Sequence, residues 1–400
     1  MRFVHMADIH FDSPFTLLAS RKNLANIRRL EQREIFKKAI EYVSENKIPF
    51  LFISGDLYEQ EYVRESTIEY INNLFKTIPE TKIFISPGNH DPFLKNSFYN
   101  TFCWNNNVTI FNSEIKIVEL EDVDIYGYGF SSFYCNNSEI ENIKIKNKNK
   151  INILVTHGSL DASKTLDMQY NPINSNKLKE IGFDYVALGH IHKNNYLNNR
   201  NNFIYPGSII SLGFDEPGEH GILDIELNKK NNNLKNNEIN NLLKNNLNKI
   251  ENKNNLLENN LNNNLKNKKI ENNLIKIKFI KLDNRIFEEK NINISEIISE
   301  EELIEKINGL DLESNKFYKI VLVGAKNIEI NKARVLNIMS NEKVLKIEDR
   351  TEIDYDFAKL AEQKNLKGIF VKKLLDKLET ENTNESEIRK ALEIGLKLFD

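Results

Sequence analysis

The chain has 400 residues, enough for two or three domains and a sizeable core. Its 55 basic and 58 acidic residues leave a formal net charge of -3, which neither demands nor excludes nucleic acid, since a local basic groove can sit on a neutral protein. Cys103 and Cys135 are its only cysteines, which excludes a disulfide framework and a CxxC pair. There is also no signal-like N-terminal segment and no apolar run near the ~20 residues of a membrane span, so the sequence predicts a soluble protein of the reducing cytoplasm.

Taken in chain order, five short apolar runs read as buried strands, and each ends in metal-binding side chains. Phe3 to Ala7 leads into Asp8-Ile9-His10. A helical pattern follows, with Leu30, Ile35, Phe36, Ala39, Ile40 and Val43 three to five residues apart. Phe50 to Ser54 then runs into Gly55-Asp56, and Ile68, Ile71, Leu74 and Phe75 mark a second helix. Ile83 to Ser86 runs into Pro87-Gly88-Asn89-His90-Asp91, Ile151 to Val155 into Thr156-His157-Gly158, and Tyr185 to Leu188 into Gly189-His190-Ile191-His192. The strand-helix alternation argues for an α/β layered domain. Ligands of open α/β sheets gather outside the carboxyl ends of the strands, so Asp8, His10, Asp56, Asn89, His157, His190 and His192 are expected to converge. That predicts a metal-dependent hydrolase.

Beyond His192 come turns and short strands at 201–205 and Gly221 to Leu227, with Pro206-Gly207-Ser208 between them, closing the first domain near residue 228. Residues 229–273 shift to Asn, Lys, Leu and Glu, with 21 Asn in 45 residues. Such a tract reads as a flexible insert or linker, because it buries too little apolar surface to offset chain entropy. The rival reading is an amphipathic helix or coiled coil, since Ile239, Leu243, Leu247, Ile250, Leu257 and Leu261 recur near a 3.5 period, although Asn is a poor helix former. From Leu274, alternating Ile275, Ile277 and Phe279 predict a half-buried strand. Helices are expected at Glu301 to Ile307, Phe357 to Leu360, Ile369 to Leu378 and Glu385 to Phe399, with a strand at Tyr318 to Val323. This makes a small α+β domain over 274–400. It has no histidine, and all seven histidines lie before residue 221, so metal chemistry belongs to the N-terminal part.

Singly, D-x-H or G-N-H is a weak signal. In the order D-x-H, G-D, G-N-H-D, T-H-G and G-H-x-H, each after a strand, the series over about residues 1 to 227 resembles the calcineurin-like metallophosphoesterases. The resemblance implies a layered β-sandwich flanked by helices over 1–228, with 274–400 as a capping or partner-binding domain. It also implies two divalent metal ions. The first would be held by Asp8, His10, Asp56 and His192, and the second by Asp56, Asn89, His157 and His190. Two cations only ~3.5 to 4 Å apart need an anionic bridge, a role that suits Asp56. Mixed imidazole and carboxylate donors suit Mn, Fe or Zn better than Ca or Mg. His90 would then be free to act as general acid toward the leaving oxygen or to steady the phosphate, with Asp91 expected to orient it through a hydrogen bond.

Plainer readings stand beside these. A lone Asp or His after a strand is commonly a cap or a satisfied polar group. His5, inside the first strand, reads as a hydrogen-bonded core histidine, and His220 as structural. Pro206-Gly207-Ser208 reads as a plain turn as readily as a site lining, and Tyr58 and Phe11 as core. No substrate-binding residue is read from the sequence.

Within the superfamily, Phe3 to Phe11 and Asp8 to Phe15 resemble the opening of the SbcD-type and YhaO-like DNA repair exonucleases. Arg350 to Asp356, Leu366 to Phe370 and Ala391 to Leu396 resemble their C-terminal region more loosely. Protein phosphatases carry an arginine close beside the G-D segment, whereas here none occurs before Arg64. The resemblance implies a Mn2+-dependent DNA nuclease, exo- or endonucleolytic, a homodimer, and association with a P-loop ATPase bearing long coiled coils (SbcC-like). The alternatives are a phosphatase or phosphodiesterase acting on a nucleotide or other small phosphoester, and an assembly subunit whose metals are structural.

Overall fold

The computed structural model describes residues 1–18, 23–162, 170–195, 202–229, 269–271, 275–326, 328–351, 357–380, 385–396 and 398–399. All five apolar runs are strands. β1 (Arg2–Met6), β2 (Phe50–Ile53), β3 (Lys82–Ile85) and β4 (Val108–Ile110) are parallel neighbours. The helix α1 (Leu24–Glu45) connects the first pair and α2 (Glu65–Lys76) the second. After the short α3 (Phe98–Thr101), a second sheet runs β5 (Lys116–Glu119), β6 (Val123–Tyr128), β7 (Ile151–His157), β8 (Tyr185–Gly189) and β9 (Phe203–Ile204), with α4 (Ser175–Ile181) before β8. The chain then returns to the first sheet with β10 (Gly221–Leu227), antiparallel to β1, followed by β11 (Lys269–Glu271) and β12 (Ile275–Lys281).

The two sheets form a sandwich, as expected. Phe3, Phe52, Phe84, Leu223 and Ile225 of one pack against Ile125, Ile153, Val155, Tyr185 and Ala187 of the other. The period of two puts alternate residues of the second sheet, among them Tyr126, Leu154, Val186 and Leu188, on its outer face, where Ile173, Leu178 and Phe183 cover them. β7 is therefore buried along its whole length, which explains why it reads as a continuous apolar run. His5 is the core histidine expected. Its Nε2 donates to Ser54 Oγ (3.1 Å), whose own proton goes to Ala187 O (3.0 Å), while its Nδ1 accepts from the Tyr185 hydroxyl (2.9 Å). Burial lowers its pKa to about 3, so it stays neutral and pins the two sheets together.

Two expectations are corrected. Leu30 is expected in the buried stripe of α1, but it is 64% exposed, and the buried face runs Arg28, Gln32, Ile35, Phe36, Ala39, Ile40 and Val43. Gln32 belongs there because its amide donates to the carbonyls of Ile9 (2.6 Å) and His10 (3.0 Å) in the loop after β1. The strand expected to open the second domain instead pairs with β10 from Gly221↔Lys281 to Leu227↔Ile275, so the first compact unit spans Met1–Ile286. Alternation marks a half-buried strand but not the sheet it joins. A buried ion pair ties the end of this strand to α1. Asp283 meets Arg28 and accepts from the amides of Ser211 (3.0 Å) and Arg285 (2.9 Å), and Arg28 also donates to Ser211 O (2.9 Å). Removing one partner of a buried pair leaves a charge uncompensated. Asp283→Leu is expected to destabilise the unit by about 3 kcal/mol in denaturant unfolding, and adding Arg28→Met should recover part of that loss.

The second compact unit, Phe287–Asp400, is described by itself. Its sheet runs β13 (Ile286–Asn293), β14 (Lys316–Val323) and β15 (Val344–Asp349). The helices Glu300–Asn308 and Lys332–Ile338 contribute Leu303, Ile304, Ile307 and Val335 to a core with Ile320, Leu322 and Val344. Helices Phe357–Ala361, Leu366–Thr380 and Glu385–Leu396 gather around Val371, Ile388, Leu392 and Leu396. Nearly all of the Asn-rich tract lies outside the described residues, so the choice between insert and helix does not arise there. No helix among the described residues is long and apolar enough to cross a membrane.

Candidate metal centre

The expected site residues all lie at or just after strand ends, and the carboxyl ends of the two sheets meet. His157, the last residue of β7, donates from Nδ1 to Ser54 O after β2 (2.9 Å). The amide of His190, after β8, donates to both carboxylate oxygens of Asp8, after β1 (2.9 and 3.2 Å). Four of the residues hold left-handed backbone: Asp8 and His10 at φ 53°, Asp56 at 51° and His190 at 104°. Each such residue costs on the order of 1 kcal/mol and persists only where neighbouring contacts over-determine it. Here Asp8 N–H donates to Gly55 O (3.1 Å), His10 N–H to Asp56 O (2.8 Å) and Asp56 N–H to Asp91 Oδ1 (3.0 Å). Glycine is required where the loops touch: a methyl group at Gly189 would overlap the Ser54 carbonyl, and one at Gly88 the Asp56 carboxylate.

Among the described residues, three groups of donors each place their ligand atoms within 4.8 Å of one another: Asp8 with His10 and His192, His10 with Asp56 and His90, and Asp8 with Asp56 and His157. Asp56 and Asp8 thus recur, each facing more than one imidazole. Asn89 joins through Oδ1, 3.0 Å from His157 Nε2. His190 is in none of these groups, but its ring lies 5.3 Å from that of His157.

The tautomers show that this cluster fits a cation. His10 donates from Nδ1 to Glu59 (2.8 Å) and His192 from Nδ1 to Glu216 (2.6 Å). Both therefore turn Nε2 inward, and these two atoms are 3.1 Å apart. Two bare lone pairs at that distance repel. His157 is similar, since its Nδ1 proton is committed to a backbone carbonyl while Nε2 faces Asp56 Oδ2 at 3.3 Å. A proton shared between two nitrogens relieves one such contact. It leaves the buried carboxylates of Asp8 and Asp56 beside it, so the donor set as a whole suits metal ions.

The charges agree. Burial acts to raise the Asp56 pKa, but His157, His10 and His90 outweigh it and hold the carboxyl well below its ordinary value. Burial acts to lower His157, and Asp56 and Asp8 reverse this, to about 9. His192 is treated alike, with Glu216 and Asp8 raising it to about 9 against burial. His190 is the exception. Burial and then His157 lower it to about 3, leaving a neutral ring able to act as a ligand.

Residues 1–194 match the sequence profile of the calcineurin-like phosphoesterases. The chain carries a calcineurin-like phosphoesterase domain. It is thus a phosphoric-ester hydrolase. Over 266 residues it is 28% identical to the SbcD component of the nuclease SbcCD of Staphylococcus epidermidis, covering 57% of this chain and 67% of that one. Over 232 residues it is 26% identical to the uncharacterized metallophosphoesterase YhaO of Bacillus subtilis, covering 55% and 56%. The match thus spans about two thirds of the first relative and about half of the second. The crystal structure of TT1561 of Thermus thermophilus superposes with a TM-score of 0.32 at 12% identity, over 56% of this chain and 93% of that one. At that score the likeness carries no inference.

Within the phosphoesterase domain, the expected role of Asp91 is corrected. Its carboxylate does not reach His90. It accepts from the amides of Asp56 (3.0 Å), Leu57 (2.6 Å) and Gly88 (2.6 Å) and from the Tyr99 hydroxyl (2.6 Å). Neighbouring residues of the turn point opposite ways: Asp91 is buried, while the His90 side chain is 45% exposed. Asp91 therefore stitches the two loops together. Glu59 orients His90 instead, accepting from its Nδ1 (2.8 Å) with one oxygen while the other holds His10. Burial acts to raise the Glu59 pKa and the two histidines lower it, to about 2. Burial acts to lower His90, and Glu59 and Asp56 raise it to about 9. Glu59 and Glu216 were not foreseen. The available signal was the position of Glu59, three residues after Asp56 in the same loop. Glu216 had none, since it reaches the site from an irregular segment. Phe11 and Tyr58 are fully buried, and His220 is a structural residue held by Ser208 and Glu216 O (3.0 Å).

Proposed function

We propose that the chain is a Mn2+-dependent phosphodiesterase that cuts DNA in repair. Asp8, His10, Asp56 and His192 would hold one ion, and Asp56, Asn89, His157 and His190 the other. Bound there, two such ions polarise the phosphoryl oxygens and acidify water. The chain's own residues supply the rest. Asp56 keeps the shared negative charge between two sets of imidazoles, and Glu59 and Glu216 fix His10 and His192 with Nε2 inward. His90, held protonated by Glu59, donates a proton to the leaving oxygen.

The observation that carries this reading is the convergence of inward-turned His10 and His192 with Asp8 and Asp56 at the open edge of the sandwich. Exposure of the His90 ring favours a large substrate over an enclosed small one. We also assign the chain, as the resemblance suggests, a homodimer, a coiled-coil ATPase partner of the SbcC kind and the cytoplasm, where the free thiols Cys103 and Cys135 would remain reduced. The test is degradation of end-labelled single- and double-stranded DNA by the full chain with Mn2+ or chelator. Mn2+-dependent shortening is expected. Hydrolysis of bis-p-nitrophenyl phosphate with DNA untouched would point to a small phosphoester, and a silent centre to an assembly role.

A further inference from the structure

A ladder of aromatic rings leads from the metal centre to solvent. The His190 ring lies 5.3 Å from His157, Tyr170 lies 5.0 Å from His190 at 35°, and Tyr134 lies 6.3 Å from Tyr170 at 34°. The inner rungs are the proposed ligands; the outer ones have no task in the chemistry. Tyr134 is 59% exposed and follows the exposed Ser131, Ser132 and Phe133, so core packing does not account for it. Its support is nonetheless rigid. The backbones of Cys135 and Tyr170 pair in a β-bridge, Asn171 N–H donates to Cys135 O (2.7 Å), and Ser159 N–H to Tyr170 O (3.0 Å). At the base of the loop, buried Phe130 packs on His157 (5.7 Å), and its carbonyl accepts from the Phe93 amide (2.7 Å), which ties the loop to the turn bearing His90.

We propose that Tyr134 and Tyr170 form a platform on which an unpaired nucleobase stacks beside the phosphodiester held at the centre. This rests on the reading of the chain as a DNA phosphodiesterase and adds where the strand lies. Two tilted rings, Tyr134 exposed and Tyr170 half-buried, anchored by main-chain pairing and continuous with the metal ligands, suit a flat aromatic ligand whose phosphate lies inward. Stacking of this kind tolerates any sequence, because every base offers a π-face.

The test uses the full chain on a His90→Gln background with Mn2+, where cleavage is slow, and reads fluorescence anisotropy of a labelled single-stranded oligonucleotide. Tyr134→Ala is expected to weaken binding at least about fivefold, and Tyr134→Phe to keep it. A strand of the same length built of abasic units, which keeps the phosphates, should bind equally to the proteins with and without Tyr134→Ala. Unchanged oligonucleotide affinity in Tyr134→Ala, or equal loss on the abasic strand, would overturn the platform. If DNA is nonetheless cut, the proposed function stands without it. A protein that hydrolyses bis-p-nitrophenyl phosphate but neither binds nor cuts DNA would overturn both.

Discussion

Replacing Asp56 by Asn is expected to lower Mn2+-dependent phosphodiester hydrolysis at least about a thousandfold, since the electrostatic stabilisation such ions supply amounts to several kcal/mol. The reason lies in its surroundings. Asp56 is buried, its Oδ2 faces His157 Nε2 at 3.3 Å and His10 Nε2 at 3.7 Å, and His90, His10 and His157 keep it ionised against the cost of burial. An amide of the same shape keeps the backbone bond pattern of Gly55 to Leu57 but cannot carry the negative charge that two cations would share. The variant should still fold, but its thermal midpoint without metal should fall below that of the parent, because the charge that balances the neighbouring imidazoles is gone. Added Mn2+ should raise the midpoint of the parent and leave that of the variant nearly unchanged. Calorimetric scans with and without Mn2+ check this beside the activity.

His90→Gln is expected to lower the rate on DNA by about two to four orders of magnitude while metal content stays that of the parent. His90 lies against the cluster, its ring 4.7 Å from His10, yet its Nδ1 is held by Glu59 and its edge is open to solvent. A general acid must be protonated to act. Its pKa is raised, so activity should persist through neutral pH and fall as pH rises through that value; the variant should lack this alkaline fall. The deficit should also shrink on bis-p-nitrophenyl phosphate, whose leaving group needs no proton. An equal deficit on both substrates would show that His90 acts as a ligand or spacer rather than as an acid.

Much of this site was legible because buried strands and metal ligands leave adjacent marks. An apolar run of four to six residues that stops at Asp or His is unusual, and five of them in order pointed to one edge of a sandwich. Contacts across the fold were harder to see. Glu216 reaches His192 from a loop 24 residues away, and Glu59 serves His10 and His90 at separations of 49 and 31. No periodicity records such pairings. Asp91 misled for a related reason: adjacency to His90 suggested contact, but consecutive side chains in a tight turn diverge, and four donors on the other side claim its carboxylate. Leu30 failed because composition named an apolar residue where the geometry of α1 placed Arg28 and Gln32 inward, each with polar partners. β4, β5 and β6 were not foreseen; the first two are short and only half-buried, so they carry little hydrophobic pattern.

We propose that one shared carboxylate, Asp56, lets this cluster hold two divalent ions that act together on a phosphodiester. The most direct test is to strip the full chain with chelator, titrate Mn2+ back, and count bound ions by mass spectrometry while following bis-p-nitrophenyl phosphate hydrolysis in the same samples. Two ions per chain, with activity rising as the second binds and both lost in Asp56→Asn, is the expected result. Full activity with one ion or none, or two ions retained in Asp56→Asn, would contradict it.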